Sequence, residues 1–248
     1  MYTWRMSYYA MLLAAGVFAG FMNVTAGGGS LITLPLLIIA GMPPVIANGT
    51  NRIAVLIQNI VASGNFRRHG RRDLKQGFLL GLAAIPGALA GALTAVNLSD
   101  STFKWILAGA ILLGLSVVFF HRQSKTGGSI LKRKWLQAVL FLFIGFYGGL
   151  IQAGTGYLII FSLTIIGGLG LAKTNSIKVI VVAVYLVPSI FVFAMKGSIQ
   201  IVPGLVLAAG NSIGGILGSN FSQKMNPKWI KVILALALTG MTVKLLVS

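Results

Sequence analysis

The chain is dominated by long apolar runs separated by short polar or basic turns, and this feature constrains its fold more than any other. Of its 248 residues, 56% are hydrophobic and 9% are charged, whereas a soluble domain carries about 25% charged residues. A helix satisfies its own backbone hydrogen bonds in lipid, so repeated runs of bilayer length predict membrane-spanning helices. The sequence therefore predicts an all-α polytopic membrane protein.

The apolar runs divide into ten segments, two of which are unusually short. The segments are approximately residues 7–25, 30–41, 44–66, 77–97, 103–121, 135–152, 157–168, 174–195, 199–221 and 228–247. Segments 30–41 and 157–168 reach roughly 18 Å at ~1.5 Å per residue, whereas the hydrocarbon core is ~30 Å thick. Because neither can cross the bilayer alone, we expect both to be short broken or re-entrant helices.

The two halves of the chain resemble each other at four places that keep the same order. The matches are Ala26–Ile32 with Ala153–Ile159, Thr50–Ile53 with Thr174–Ile177, Pro86–Gly91 with Ile213–Gly218, and Lys104–Ile106 with Lys228–Ile230. Together they predict an internal duplication, with a first repeat at 1–121, a basic linker at 122–134 and a second repeat at 135–248. The whole forms one integral membrane domain.

The basic residues indicate how the two repeats are oriented. Five segments per repeat is an odd number, so the second repeat is inverted relative to the first. This arrangement places the basic loops 67–75 and 122–134 on the same side, which the positive-inside rule assigns to the cytoplasm. The other side receives Arg5, Lys104, Lys196 and Lys244. We therefore expect two inverted repeats in the cell inner (cytoplasmic) membrane, with both termini outside.

A glycine cluster precedes each short segment, and inversion brings the two clusters together. Gly27, Gly28 and Gly29 come before segment 30–41, and the run 152–156 (QAGTG) comes before segment 157–168. The two tips are predicted to point at each other near the midplane. Irregular backbone is tolerated at that depth only when it is buried in protein or lines a watery cavity. Paired short segments of this kind are typical of a transporter's binding site.

The glycine clusters are candidate anion sites. A helix that restarts at Ser30, and another at Tyr157, leaves unpaired N–H groups whose dipole favours an anion. Ser30 and Thr155 add hydroxyl donors. Alternatively, the glycines only allow close helix packing.

A second polar constellation opens segment 44–66. Asn48, Arg52 and Asn59 share one helix face and should point inward, because polar groups are costly in lipid. A guanidinium offers a fork of donors that suits oxyanions. Arg52 and Lys178 either serve the site or extend to the membrane interface. The candidate substrate-binding residues are Gly27, Gly28, Gly29, Ser30, Thr50, Asn51, Arg52, Gln152, Gly154, Thr155, Gly156, Thr174 and Asn175.

Several classes of function lack the residues they need. The chain has no cysteine, two histidines and two acids, Asp73 and Asp100, both of which fall in predicted loops. Metal sites, acid–base catalysis and a proton relay through a buried carboxylate are therefore disfavoured. The net charge of +18 is explained by loop orientation rather than by nucleic-acid binding. We expect neither an enzyme nor a cofactor, and the expected partners are a small anionic substrate and membrane lipid.

Two motifs of the first repeat, GFMNVTAGGGSLITLPLL (20–37) and GMPPVIANGTN (41–51), carry a resemblance to a known family. They resemble the sulfite exporter TauE/SafE family of membrane permeases, and the similarity extends over essentially the whole chain. The matching positions are Gly27, Gly28, Gly29, Pro35, Gly41, Pro43, Pro44, Gly49 and Thr50. The second repeat departs from the first, with Thr155, Tyr157 and Ser162 where the first has Gly28, Ser30 and Pro35. Arg52 and Gln152 are outside the family pattern.

This resemblance implies transport of sulfite, organosulfonates or related sulfur-containing anions. The leading hypothesis is a permease that exports such an anion. A membrane binding or assembly protein without transport, and an importer coupled to sodium, are the alternatives.

Overall fold

The structure, a computed structural model, describes residues 2–70, 73–120 and 134–221. This part of the chain is helical throughout and contains no strand. The predicted tenth segment at 228–247, its Lys228–Ile230 match and nearly all of the linker 122–134 lie outside the described residues. The helices are α1 (Tyr2–Thr25), α2 (Ser30–Ile39), α3 (Pro44–Arg68), α4 (Leu74–Ala95), α5 (Asp100–Phe120), α6 (Lys134–Leu150), α7 (Thr155–Phe161, continued by a π-helical stretch Ser162–Ile166), α8 (Leu171–Met195) and α9 (Ile201–Phe221).

Four of these helices are long and apolar enough to cross a membrane. They are α1 over Met6–Thr25, α4, α8 and α9. The prediction of two short helices is confirmed, since α2 has 10 residues and α7 with its π-helical stretch covers Thr155–Ile166. The second short helix begins two residues earlier than predicted, at Thr155 rather than Tyr157.

Burial is distributed as expected for a protein surrounded by lipid rather than water. Large apolar side chains are exposed, among them Trp105 (71%), Phe143 (67%) and Phe191 (66%). Polar side chains are instead enclosed, and Asn48 and Arg52 are fully buried. Many exposed large apolar side chains, together with charged and amide side chains buried inside a largely apolar core, are unusual for a soluble monomer and ordinary for a multi-pass membrane protein.

Two closely packed helix pairs flank the centre, and their contacts match. In the first pair, α1 packs against α9 so that Gly20 touches the backbone of Asn211 and Gly214 touches Val17. In the second pair, α6 packs against α4. Gly145 meets Ala84 there, and Gly87 meets Leu142. Both pairs use small residues to bring helix backbones together, as helices in membranes commonly do.

The central helices α3 and α8 join the two pairs. α3 packs on α9, α8 packs on α4, and α3 and α8 also contact each other. The contacts of α1 and α3 with α9 are thus matched by contacts of α6 and α8 with α4, which is an exchange of partners between the first and the second half of the chain. This exchange places the breaks that follow α1 and α6 next to each other at the centre.

Candidate anion site at the helix breaks

The two glycine elbows are in direct backbone contact. The first elbow joins α1 to α2 and the second joins α6 to α7. A Cβ added to Gly27 would lie 2.6 Å from the carbonyl carbon of Gly156, and one added to Gly156 would meet Gly27. Gly27 also has a φ of 89°, a left-handed conformation that favours glycine. The prediction that the two tips meet is thus confirmed for these residues.

The first elbow leaves backbone donors without partners. The N–H groups of Gly28, Gly29 and Ser30 donate no hydrogen bond within the described residues. Gly28 lies against the ring and hydroxyl of Tyr157, and Gly29 lies against α1 at Ala19. The Tyr157 hydroxyl is buried and has no hydrogen-bond partner among the described residues. The N-terminus of α2 and this hydroxyl therefore form a small group of donors.

The second elbow is closed by its own hydrogen bonds. Gln152 has a φ of 60°, which is unusual for a residue other than glycine, and Gly154 has a φ of 79°. The Gln152 side-chain oxygen accepts from the Tyr185 hydroxyl at 3.0 Å, and its carbonyl accepts from the Thr155 hydroxyl at 2.9 Å. The Tyr147 hydroxyl donates to the Ala153 carbonyl at 2.7 Å. Thr155, expected to offer its hydroxyl to an anion, is therefore already engaged.

Arg52 binds the end of α6. Its guanidinium donates to the carbonyls of Gly148 at 3.1 Å and Gly149 at 2.5 Å. It also lies over the Phe193 ring, 4.4 Å from the centroid. Asn48 completes this contact by donating to the Leu150 carbonyl at 2.9 Å. The last carbonyls of a helix have no partner within the helix and carry partial negative charge, so a cation stabilises them.

Lys178 binds the end of α1 in the same manner. Its ammonium donates to the carbonyls of Asn23 at 2.7 Å and Val24 at 2.9 Å. Asn175 donates to the Thr25 carbonyl at 3.2 Å and accepts from Lys178 at 3.0 Å. The alternative that Arg52 and Lys178 extend to the membrane interface is wrong, because both side chains are enclosed within the protein.

The remaining candidate residues differ in whether their side chains keep a hydrogen-bonding atom without a partner. Thr50 accepts from the Gln200 backbone N–H at 2.9 Å. The Asn51 side-chain oxygen accepts from the Thr33 hydroxyl at 2.7 Å, which leaves its Nδ2 buried and unpartnered. The Thr174 hydroxyl is also buried and unpartnered. Within the described residues, Asn51 Nδ2 and the Thr174 hydroxyl thus have no partner, whereas the Thr50 hydroxyl oxygen already accepts a hydrogen bond.

These hydrogen bonds change which residues of the two halves correspond to each other. The sequence match Thr50–Ile53 with Thr174–Ile177 pairs Asn51 with Asn175. In the structure Asn175 is the counterpart of Asn48, because each is the fifth residue of its helix and each binds the last residue of the first helix of the opposite half. A short sequence match is a weaker guide to equivalence than a shared hydrogen bond.

Several residues that shape the site were not among the candidates. Three tyrosines of the second half lie around the elbows: Tyr147, Tyr157 and Tyr185. Thr33 hydrogen-bonds the Asn51 amide, and Gln58 hydrogen-bonds the Asn23 amide on α1. A tyrosine within an apolar helix is a usable signal, because its hydroxyl needs a partner when it is buried.

The chain is similar over nearly its whole length to a family model and to proteins described as probable membrane transporters. The family model described as "Sulfite exporter TauE/SafE" matches residues 12–245. "Probable membrane transporter protein ORF9" of a Sinorhizobium species is 28% identical over 96% of this chain and 92% of its own. A "Probable membrane transporter protein" of Haemophilus influenzae is 29% identical over 95% and 93%. "Probable membrane transporter protein YfcA" of Escherichia coli K12 is 26% identical over 95% and 88%. No solved structure matches.

Proposed function

Because the chain belongs to the sulfite exporter TauE/SafE family of membrane transporters, we propose that it exports a small sulfur-containing anion such as sulfite or an organosulfonate. The family and the relatives support membrane transport. The choice of an anion is supported by the chemistry of the elbows. The direction is supported by energetics alone.

The observation that carries the proposal is the set of buried donors around the elbows that lack acceptors. They are Asn51 Nδ2, Arg52 Nε, the Tyr157 hydroxyl and the Thr174 hydroxyl, each without a partner in the described part of the chain. An unpaired buried polar group costs about 1–3 kcal/mol. An oxyanion brings several acceptor lone pairs and so removes this cost. The two acids in the sequence, Asp73 and Asp100, precede or begin α4 and α5, far along the chain from the elbows.

The substrate site in this proposal is centred on the first elbow. The backbone donors of Gly28, Gly29 and Ser30 bind the oxyanion together with the Tyr157 hydroxyl and Asn51. Arg52 Nε and the Thr174 hydroxyl add donors. Arg52 and Lys178 also act through the field of their charges, since their terminal nitrogens hold helix carbonyls. Gly27 and Gly156 hold the two elbows together, and Gln152, Gly154 and Thr155 shape the second one.

The proposal includes two inverted repeats in the cytoplasmic membrane with both termini outside. It is supported by the exchange of helix neighbours between halves and by the clustering of basic residues in loops. The elbows then enter the membrane from opposite sides. A monoanion leaving a cell with a negative interior moves downhill by about 2.3 kcal/mol per 100 mV, so export needs no coupled ion.

Purified protein in liposomes tests this function directly. Vesicles loaded with sulfite or methanesulfonate are given a potassium diffusion potential, negative inside, with or without a sodium gradient. We expect anion efflux that grows with the potential, does not need sodium and falls in Tyr157→Phe. Gly109→Ala is the matched control, because a Cβ at Gly109 meets nothing within 4 Å. Flux that requires sodium and runs inward would contradict export, and no flux of any anion would contradict transport.

A further inference from the structure

Three amide side chains form a line along α3 that the elbow site does not use in full. Asn51, Gln58 and Asn65 are spaced by seven residues, which is about two helical turns. They therefore share one face of the helix. At ~1.5 Å per residue the line extends roughly 21 Å from the elbows toward the end of α3. We call these three residues the amide stripe.

Each member of the amide stripe contacts a different helix. Asn51 accepts from Thr33 on α2, and Asn23 on α1 donates to the Gln58 side-chain oxygen at 3.2 Å. Asn65 donates to Ser219 at 2.6 Å and Asn220 at 2.7 Å, both on α9. The stripe thus follows the seam where α1 and α9 meet α3. It begins at the elbows and ends at a partly open position.

The middle of the stripe has an unsatisfied donor. Gln58 is fully buried, and its Nε2 has no hydrogen-bond partner in the described ranges. A Cβ added to Gly215 on α9 would lie 3.0 Å from Gln58 Cγ, so the absence of a side chain at Gly215 relieves crowding around this amide. One turn earlier on α9, the Asn211 side-chain oxygen is also buried and unpartnered. If this seam were only a sealed core, an apolar side chain would suit position 58 better. A polar side chain kept inside a membrane protein therefore points to a function.

The end of the stripe is basic. Arg67 and Arg68 close α3 and are both exposed, and neither is paired with an acid among the described residues. A small anion that moves from the elbows along the amide stripe therefore passes amide donors and reaches two cations at the end of α3. In this conformation the seam is shut, since α1 and α9 lie against α3 and the Asn23–Gln58 hydrogen bond spans it.

Building on the proposed function, we propose that the amide stripe is the route by which the anion passes between the elbow site and the basic end of α3. Separation of α9 from α3 opens this route. Gln58 then carries the anion across the middle of the seam through its free amide nitrogen. Gly215 provides the space in which the anion passes Gln58.

Cysteine accessibility tests the route without any assumption about the substrate, because the chain has no cysteine of its own. Gln58→Cys and Asn65→Cys are labelled in vesicles with a negatively charged and a positively charged methanethiosulfonate reagent of similar size. Ile60→Cys is the control at similar depth, since Ile60 is 57% exposed on the opposite face of α3. We expect Gln58→Cys to react at least tenfold faster than Ile60→Cys. The ratio of the anionic to the cationic reaction rate should be higher at position 58 than for a free thiol in solution. Methanesulfonate should slow the reaction with the anionic reagent. Equal rates at positions 58 and 60 would overturn the proposal.

A second variant separates the route from the function itself. Gln58→Met keeps the size of the side chain and removes its donor, and Asn97→Met is the control on an exposed amide that binds only its own helix. We expect Gln58→Met to lower methanesulfonate flux at least fivefold while its thermal stabilisation by methanesulfonate is unchanged. Wild-type flux in Gln58→Met would overturn the route and leave the proposed function standing. No anion flux in the wild-type protein would refute the proposed function and the route with it, whatever the labelling of Gln58→Cys.

Discussion

Arg52 and Lys178 lie on different halves of the chain and bind equivalent carbonyls, each at the end of the first helix of the opposite half. Arg52 reaches the two residues before the last in α6, and Lys178 reaches the two before the last in α1. Neither cation has an acid beside it in the described helices. Two helices that stop inside the protein are therefore each neutralised by a cation from across the interface.

Removing either cation should destabilise the fold. Arg52→Leu and Lys178→Leu each leave two helix carbonyls unpaired in a buried place, and hydrogen bonds to charged groups contribute about 1.5–3 kcal/mol. We expect each variant to lose about 2–3 kcal/mol of unfolding free energy in mixed micelles, with Arg52→Lys losing less. A Leu variant as stable as wild type would show that these carbonyls find other partners.

Removing two tyrosine hydroxyls near the elbows should have different effects on stability and on anion affinity. Tyr157→Phe deletes a hydroxyl that has no partner, so we expect unchanged stability and a loss of anion affinity of about five- to tenfold, equivalent to one hydrogen bond. Tyr147→Phe deletes a donor to Ala153 and should lower stability by about 1 kcal/mol. Thermal melts with and without methanesulfonate measure both effects. The reverse pattern would remove Tyr157 from the site.

The contact between the elbows should not tolerate a side chain. Gly27→Ala places a methyl group against the backbone of Gly156 and forces alanine into a left-handed conformation. We expect a loss of about 2–4 kcal/mol in unfolding free energy together with loss of anion binding. Gly109→Ala, in open space, should be neutral. Normal binding by folded Gly27→Ala would mean that the elbows need not touch.

The two helix pairs should respond alike to the same change. Gly20→Ala and Gly145→Ala both press a methyl group into the backbone of the facing helix, at Asn211 and Ala84. We expect the two variants to lose similar stability, within about 0.5 kcal/mol of each other, because both methyl groups meet the facing backbone in the same way, and we expect the two distant sites to behave independently. The double variant should lose the sum. Equilibrium unfolding in mixed micelles gives all three values, and a large inequality would argue against matched packing.

The elbows show how far local sequence carries a prediction. Their position was predicted because a glycine cluster followed by a segment too short for the bilayer leaves few alternatives. The start of the second short helix was missed by two residues, since Thr155 and Gly156 look like turn residues and here form the first turn of α7. Helix ends are set partly by what packs against them.

Arg52 shows the limit of such a prediction. Its burial follows from its place in an apolar helix, and the sequence indicated a face shared with Asn48. That its guanidinium binds Gly148 and Gly149 depends on residues about a hundred positions away, which no local pattern reports.

The sequence alone determined that this chain is a helical membrane protein with two broken helices, because a lipid environment requires every helix to satisfy its backbone and makes length and polarity decisive. Only the tertiary structure decided which donors remain open at the break. The carbonyls of α1 and α6 engage Arg52, Lys178, Asn48 and Asn175. That engagement depends on how α3 and α8 pack against the opposite half.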